Sequence, residues 1–165
     1  MSFITADQLF VHAISDYVIQ SDYMATEKLK KNSAALAHVV TYTIPFLFLT
    51  TSWKALAFIM VTHFVIDRWR LARYVCWVKN FLAPKWIELE IKPEIPPLNA
   101  TLQGYMVTPP VEVPLTRKVR NFPWSECVGT GYHTSKPPFL SVWLLIITDN
   151  LMHVGLNALA LKYMG

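Results

Sequence analysis

Hydrophobic residues along the chain cluster in four long stretches whose spacing is typical of helices rather than strands. The stretches occupy residues 5–20, 34–49, 54–81 and 139–162. We expect Pro45 to kink the second helix, and we expect the third helix to continue without a break through Asp67. The pattern predicts a mainly α fold, a small bundle of about four helices.

A polar, basic link at residues 22–33 separates the first two helices, and Ser33 is predicted to cap the second one. Residues 83–138 then interrupt the helical pattern, because they contain every proline except Pro45. Alternating residues in WIELEIK and YMVTPPVEVPL predict short strands there. We therefore expect a bundle made of residues 1–82 and 139–165, with residues 83–138 as an irregular, partly extended insert.

Composition favours a membrane-associated bundle. Hydrophobic residues make up 53% of the chain and charged residues 16%, against about 25% charged in an average soluble protein. The stretch at 139–162 is long enough to span a bilayer, whereas each run within 34–67 falls a little short, so a buried soluble hairpin is the alternative there. The start of the chain lacks the pattern of a cleaved secretory signal.

The distribution of basic residues predicts an orientation of the bundle in the membrane. Basic residues follow the first and third helices, and a tight turn joins the second to the third, so both basic clusters emerge on one side. The positive-inside tendency makes that side, and the insert with it, cytoplasmic. The net charge of +4 is small and scattered, so we expect a lipid bilayer and no nucleic acid as the partner.

Histidine and aspartate recur four residues apart in three of the apolar stretches. The pairs are His12/Asp16, His63/Asp67 and Asp149/His153. Helical spacing places both members of a pair on one face, and acids in such apolar segments are costly unless they are paired, metal-bound or facing water. Together they are a ligand set for one or two Zn, Mn or Fe ions.

These residues define a candidate site. The predicted metal ligands are His12, Asp16, His38, His63, Asp67, Asp149 and His153. The predicted general base is Asp16, Asp67 or Asp22, and Gln20, Lys28 and Arg70 are predicted to bind substrate. For His38 a purely structural role is the alternative. The chemistry predicted is hydrolysis of a phosphate-containing or lipid-like substrate.

A non-enzymatic function is the alternative prediction. In that case the polar pairs fix the register of a membrane bundle, and the proline-rich insert binds a partner protein. A metal-ion transporter would need more helices, which a homo-oligomer would supply. We expect His133 to be a loop residue, and Cys76 and Cys127 to be reduced structural thiols.

Three segments carry a family resemblance: residues 12–28, 63–67 and 149–153. They resemble the signature of the domain-of-unknown-function family 3307, a group of bacterial and phage membrane proteins. Arg70 stands where a lysine is common, and Asn150 stands where the closing motif has glutamine. The resemblance covers residues 5–80 and 139–162. It implies membrane helices, a bacterial inner-membrane location and kinship with membrane-bound metal-dependent hydrolases, without specifying a reaction.

Overall fold

The computed structural model describes residues 3–83, 86–91 and 115–165, and within these ranges the protein is mainly helical. The elements are α1 (Ala6–Ala13), α2 (Asp22–Glu27), α3 (Asn32–Thr43), α4 (Trp53–Trp69), α5 (Leu71–Lys79), β1 (Ile87–Ile91), β2 (Leu115–Val119) and α6 (Pro138–Tyr163). The mainly α prediction is confirmed.

The first helix is not uniform. The Thr5 hydroxyl caps α1 by accepting a hydrogen bond from the Gln8 backbone N–H, and a π-helical turn, Ile14–Val18, continues it. The predicted polar link that follows contains the short helix α2, capped by the Ser21 hydroxyl. Single π turns within helices are frequent at functional sites, and Asp16 lies in this one.

The second and third apolar stretches form a hairpin. As predicted, the helix changes at Pro45, where α3 gives way to a 3₁₀ segment, Ile44–Phe48. The predicted cap at Ser33 is wrong: Ser33 lies inside α3, and Lys31, with an extended backbone, occupies the cap position without a side-chain hydrogen bond. The hairpin packs through Tyr42, Phe46 and Ile59, which are fully buried.

The prediction of one unbroken third helix is wrong at Arg70. This residue has φ 47° and ψ 53°, in the left-handed region, and separates α4 from α5. Its backbone N–H donates to the carbonyl oxygen of Asp67 and closes the end of α4. Neither glycine nor proline marks the break, so the sequence pattern gave no warning of it.

Helix α6 matches the predicted fourth helix within one residue at each end. Among the described residues it is the helix whose length and composition would allow it to cross a membrane. It packs between α4 and α5, where the Cys76 thiol lies 3.4 Å from the Thr148 hydroxyl. Both cysteines are buried and free, as expected.

The described part of the insert packs against α5. The predicted strand in WIELEIK is confirmed as β1, which pairs antiparallel with β2. The second predicted strand, residues 105–115, lies outside the described residues except for Leu115. Trp124 stacks on Tyr74 with ring centroids 4.6 Å apart, and the Trp77 indole N–H donates to the Phe122 carbonyl oxygen at 3.0 Å.

Gly131 fixes the loop of the insert against α5. It has φ 81°, and a Cβ at this position would collide with the Arg73 carbonyl oxygen and lie 2.7 Å from the Cβ of Cys76. Gly131→Ala should therefore lower the free energy of unfolding by about 1–3 kcal/mol. Thermal unfolding in mild detergent measures this. The matched control is Gly129→Ala, where a Cβ meets nothing within 4 Å; equal effects of the two variants would contradict the prediction.

The left-handed backbone at Arg70 gives a second prediction. Arg70→Gly and Arg70→Ala both remove the guanidinium group, but alanine keeps a Cβ in a conformation that costs about 1–2 kcal/mol. We expect the glycine variant to unfold at the higher temperature. At Arg73, inside α5, the same pair of substitutions should give the opposite order, because glycine costs about 1 kcal/mol in a helix. The same order at both positions would contradict the assignment.

Candidate functional site: a buried histidine and aspartate cluster

The site lies where the π turn after α1 meets α3 and α4. The turn supplies Asp16, α3 supplies His38, and α4 supplies His63 and Asp67 one helical turn apart. The two histidines and Asp67 are buried, and the side chain of Asp16 is 11% exposed. The i,i+4 spacing read from the sequence therefore does place His63 and Asp67 on one buried face.

Four ligand-type atoms converge at this point. His38 Nε2 lies 3.3 Å from Asp16 Oδ1 and 3.2 Å from Asp67 Oδ2. His63 Nε2 lies 3.5 Å and 3.2 Å from the same two oxygens. The two Nε2 atoms are 2.9 Å apart. Five of the six separations among the four atoms are thus known, and all fall between 2.9 and 3.5 Å.

The two Nε2 atoms with either one of the carboxylate oxygens have the spacing of ligands to a divalent cation. A tetrahedral ion with bonds of about 2.0–2.1 Å to nitrogen and oxygen places its ligand atoms about 3.3–3.4 Å apart. Without a cation, one of the two Nε2 atoms can donate its hydrogen to the other, so an ion is one of two ways in which this contact is satisfied. Histidine nitrogen with carboxylate oxygen suits Zn, Mn or Fe.

Helix α6 brings the third sequence pair to the same place. His153 Nε2 lies 3.3 Å from Asp67 Oδ1 and 3.4 Å from Asp149 Oδ2. The ring of His153 stacks on the ring of His63, with centroids 4.0 Å apart. Ligand atoms of His63, Asp67 and His153 also lie close enough together to hold an ion.

His12 occupies a different position. Its Nδ1 contacts the Tyr42 hydroxyl and its Nε2 contacts the Asn150 side-chain oxygen, both at 2.8 Å. Asp16 Oδ2 lies further from Nδ1, at 3.6 Å. Both ring nitrogens therefore have partners on other helices. His12 thus lies beside the converging ligand atoms and holds neighbouring helices together.

A pocket of about 280 Å³ opens onto the cluster. Its wall includes Asp16, Asp67 and Asp149. All three residues predicted to bind substrate, Gln20, Lys28 and Arg70, line the same pocket. Lys28 Nζ donates to Asp67 Oδ2 at 2.7 Å, which helps to offset the cost of the buried carboxylate.

Other candidate residues lie apart from the cluster. Asp22 is exposed at the start of α2, and its backbone carbonyl oxygen accepts a hydrogen bond from the Thr26 hydroxyl at 2.8 Å. Arg68 is engaged with the Asn32 side chain and the Leu29 carbonyl oxygen. His133 is a loop residue, as expected, and contacts Glu126 at 3.0 Å.

Tyr42, Asn150 and Asn157 belong to the site, although the sequence analysis did not assign them to it. The Tyr42 hydroxyl accepts from Asn157 Nδ2 at 2.7 Å and contacts His12, so it joins α1, α3 and α6. Helical spacing indicates this position for two of them, because Tyr42 follows His38 by four residues and Asn157 follows His153 by four.

Comparison with known proteins gives one match. No curated protein and no solved structure matches the chain significantly. Residues 4–86 match the family described as a protein of unknown function (DUF3307), and this range includes Asp16, His38, His63 and Asp67. The converging ligand atoms of the first site thus lie within the matched range, and the chain belongs to the DUF3307 family.

Proposed function

We propose that the protein is a membrane-bound, metal-dependent hydrolase that acts on a phosphate-containing, lipid-like substrate. The observation that carries the proposal is that two imidazole nitrogens lie 2.9 Å from each other and 3.2–3.5 Å from each of two carboxylate oxygens. A divalent cation held there would polarise a phosphoryl oxygen and activate water for attack. One Zn, Mn or Fe ion is the cofactor that these ligands suit.

The pocket supports an anionic substrate. Lys28 and Arg70 present positive charge beside the cluster. With its amide oriented to match its neighbours, Gln20 accepts from Lys28 Nζ at 2.9 Å and donates to the Asp16 backbone carbonyl oxygen at 3.1 Å. Basic side chains of this kind bind phosphate oxygens through charge-assisted hydrogen bonds. A phosphate group is therefore the substrate feature that we assign to this pocket.

Apolar residues also line the pocket. Leu29, Leu145 and Ile146 line it, and Ile146 also belongs to a large exposed apolar surface on α6 that includes Trp143 and Leu151. Such a surface favours lipid contact. We place α6 across the bacterial inner membrane, with the proline-rich insert on the cytoplasmic side and the pocket accepting the head group of an amphiphile.

The proposed reaction assigns a role to each of these residues. Hydrolysis forms a bond between phosphorus and the water oxygen and breaks the bond between phosphorus and the ester oxygen. Asp16 lines the pocket, and its Oδ2, which is not among the ligand atoms, would accept the proton that the attacking water loses. Lys28 is placed to donate a proton to the departing oxygen, and Arg70 to hold the phosphate oxygens.

A second candidate function rests on the hydrogen bonds around Tyr42. Tyr42, His12, Asn150 and Asn157 connect three helices without requiring a metal, and Gln8 donates to the Val154 carbonyl oxygen at 2.8 Å. Interhelical bonds of this type fix bundle register at about 1 kcal/mol each. In that case the protein is a non-enzymatic membrane protein whose insert binds a partner.

Metal analysis separates the two functions. Purified protein in mild detergent should retain a transition metal, and His38→Ala and His63→Ala should lose it, because each removes a converging nitrogen. His133→Ala is the matched control, since it removes a histidine that pairs with Glu126 in the loop. Elemental analysis of the folded fraction is the measurement. Wild-type protein that binds neither Zn, Mn nor Fe on addition would support the register function.

Activity should depend on Asp67. Asp67→Asn is expected to lower phosphate release from phosphatidic acid in mixed micelles by more than about 100-fold, because outer-shell changes alone cost 10–100-fold. Asp7→Asn is the control, since Asp7 is an exposed carboxylate in the first turn of α1. Circular dichroism checks folding. If the folded, metal-loaded wild type releases no phosphate from lipid or aryl phosphates, phosphate esters are excluded as its substrates.

A further inference from the structure

Asp67 presents its two carboxylate oxygens to two different groups of residues. Oδ2 contacts His38, His63 and Lys28. Oδ1 contacts His153 Nε2 at 3.3 Å. A carboxylate with ligand-type nitrogens at both oxygens is placed to bridge two ions rather than to bind one.

The residues at Oδ1 form a second candidate ion site. His153 Nε2 lies between Asp67 Oδ1 and Asp149 Oδ2, at 3.3 and 3.4 Å. These two separations match the spacing of about 3.3–3.4 Å expected for ligands of a common ion. A single Nε2 hydrogen donates well to only one acceptor, so His153 by itself does not hydrogen-bond both carboxylates equally.

The two groups differ in access. The side chains of His38, His63 and Asp67 are at most 4% exposed, so an ion among them would be largely enclosed and would reach the pocket only beside Asp16 and Asp67. The side chain of Asp149 is 31% exposed and lines the pocket with Lys28 and Arg70. An ion held by Asp149 and His153 would therefore face the pocket and whatever binds in it.

Charge in the pocket also favours a second ion. Its wall contains three aspartates, Asp16, Asp67 and Asp149, and two basic residues, Lys28 and Arg70. One divalent cation brings this set from a net charge of about −1 to about +1, which does not neutralise a phosphate dianion of about −2. A second divalent cation supplies the missing positive charge beside the substrate.

We propose that Asp67 bridges two divalent cations. The enclosed one is held by Asp16, His38, His63 and Asp67 Oδ2, and the second, exchangeable one by Asp67 Oδ1, Asp149 and His153. This inference rests on the proposed function for the first ion and for the phosphate substrate. In phosphoester hydrolysis two such ions stabilise the attacking and the leaving oxygen, so the second site assigns a metal role to Asp149 and His153 at the substrate face.

Manganese binding tests the second site independently of activity. Full-length protein in detergent, freed of metal by chelation, is titrated with Mn²⁺ and followed by calorimetry and electron paramagnetic resonance. The wild type should bind about two equivalents and show a spectrum of exchange-coupled ions, as expected for a two-metal site. Asp149→Asn, at a partly exposed position, should bind about one equivalent and show an uncoupled spectrum. Asp7→Asn, the carboxylate control, should behave as the wild type.

The outcomes distinguish the two proposals. A wild type that binds a single uncoupled ion, lost in His38→Ala but kept in Asp149→Asn, overturns the second site and leaves the first intact. A wild type that binds no Mn²⁺, Zn²⁺ or Fe²⁺ overturns both. If Asp149→Asn does not fold, the stoichiometry and coupling in the wild type still decide the question.

Discussion

The buried carboxylate of Asp67 is the feature on which the rest of the bundle depends. A charge removed from water costs several kcal/mol unless neighbours compensate it. Here compensation comes from the segment after α2, from α3, from α4 itself and from α6, through Lys28, His38, His63 and His153. Each of these elements must therefore hold its register relative to α4, so one side chain sets the relative positions of most of the bundle.

The irregular parts of the helices lie close to this point. Asp16 reaches the cluster from a π turn, and Arg70, with its left-handed backbone, lines the pocket beside Asp67. Ideal helices would have placed these side chains elsewhere on their faces. Local departures of this kind cost about 1–3 kcal/mol each and persist where surrounding contacts fix them. They are consistent with a site that depends on the direction of particular side chains more than on regular helices.

Helical spacing was enough to predict much of the site. His63 with Asp67, and Asp149 with His153, are local pairs, so the sequence fixes their common face before any tertiary contact forms. Whether these pairs lie close to Asp16 and His38 depends on how the helices pack, which local spacing does not determine. The break at Arg70 was not predictable, because a non-glycine residue takes a left-handed backbone there for tertiary reasons. Asp22, by contrast, is near the site in sequence but is exposed on α2, since the chain turns at Ser21.

Polar contacts also explain how so small a bundle can adopt one helix register. Its main buried apolar cluster is modest, built on Tyr42, Phe46 and Ile59, while large apolar side chains such as Phe48, Trp143 and Leu151 face outward. Apolar side chains pack in many registers, whereas a converging set of nitrogens and oxygens is satisfied in one. An ion bound only by the folded arrangement adds its binding free energy to folding. The same geometry that positions an ion for chemistry would therefore also select the helix register, and folding and catalysis would draw on one set of contacts.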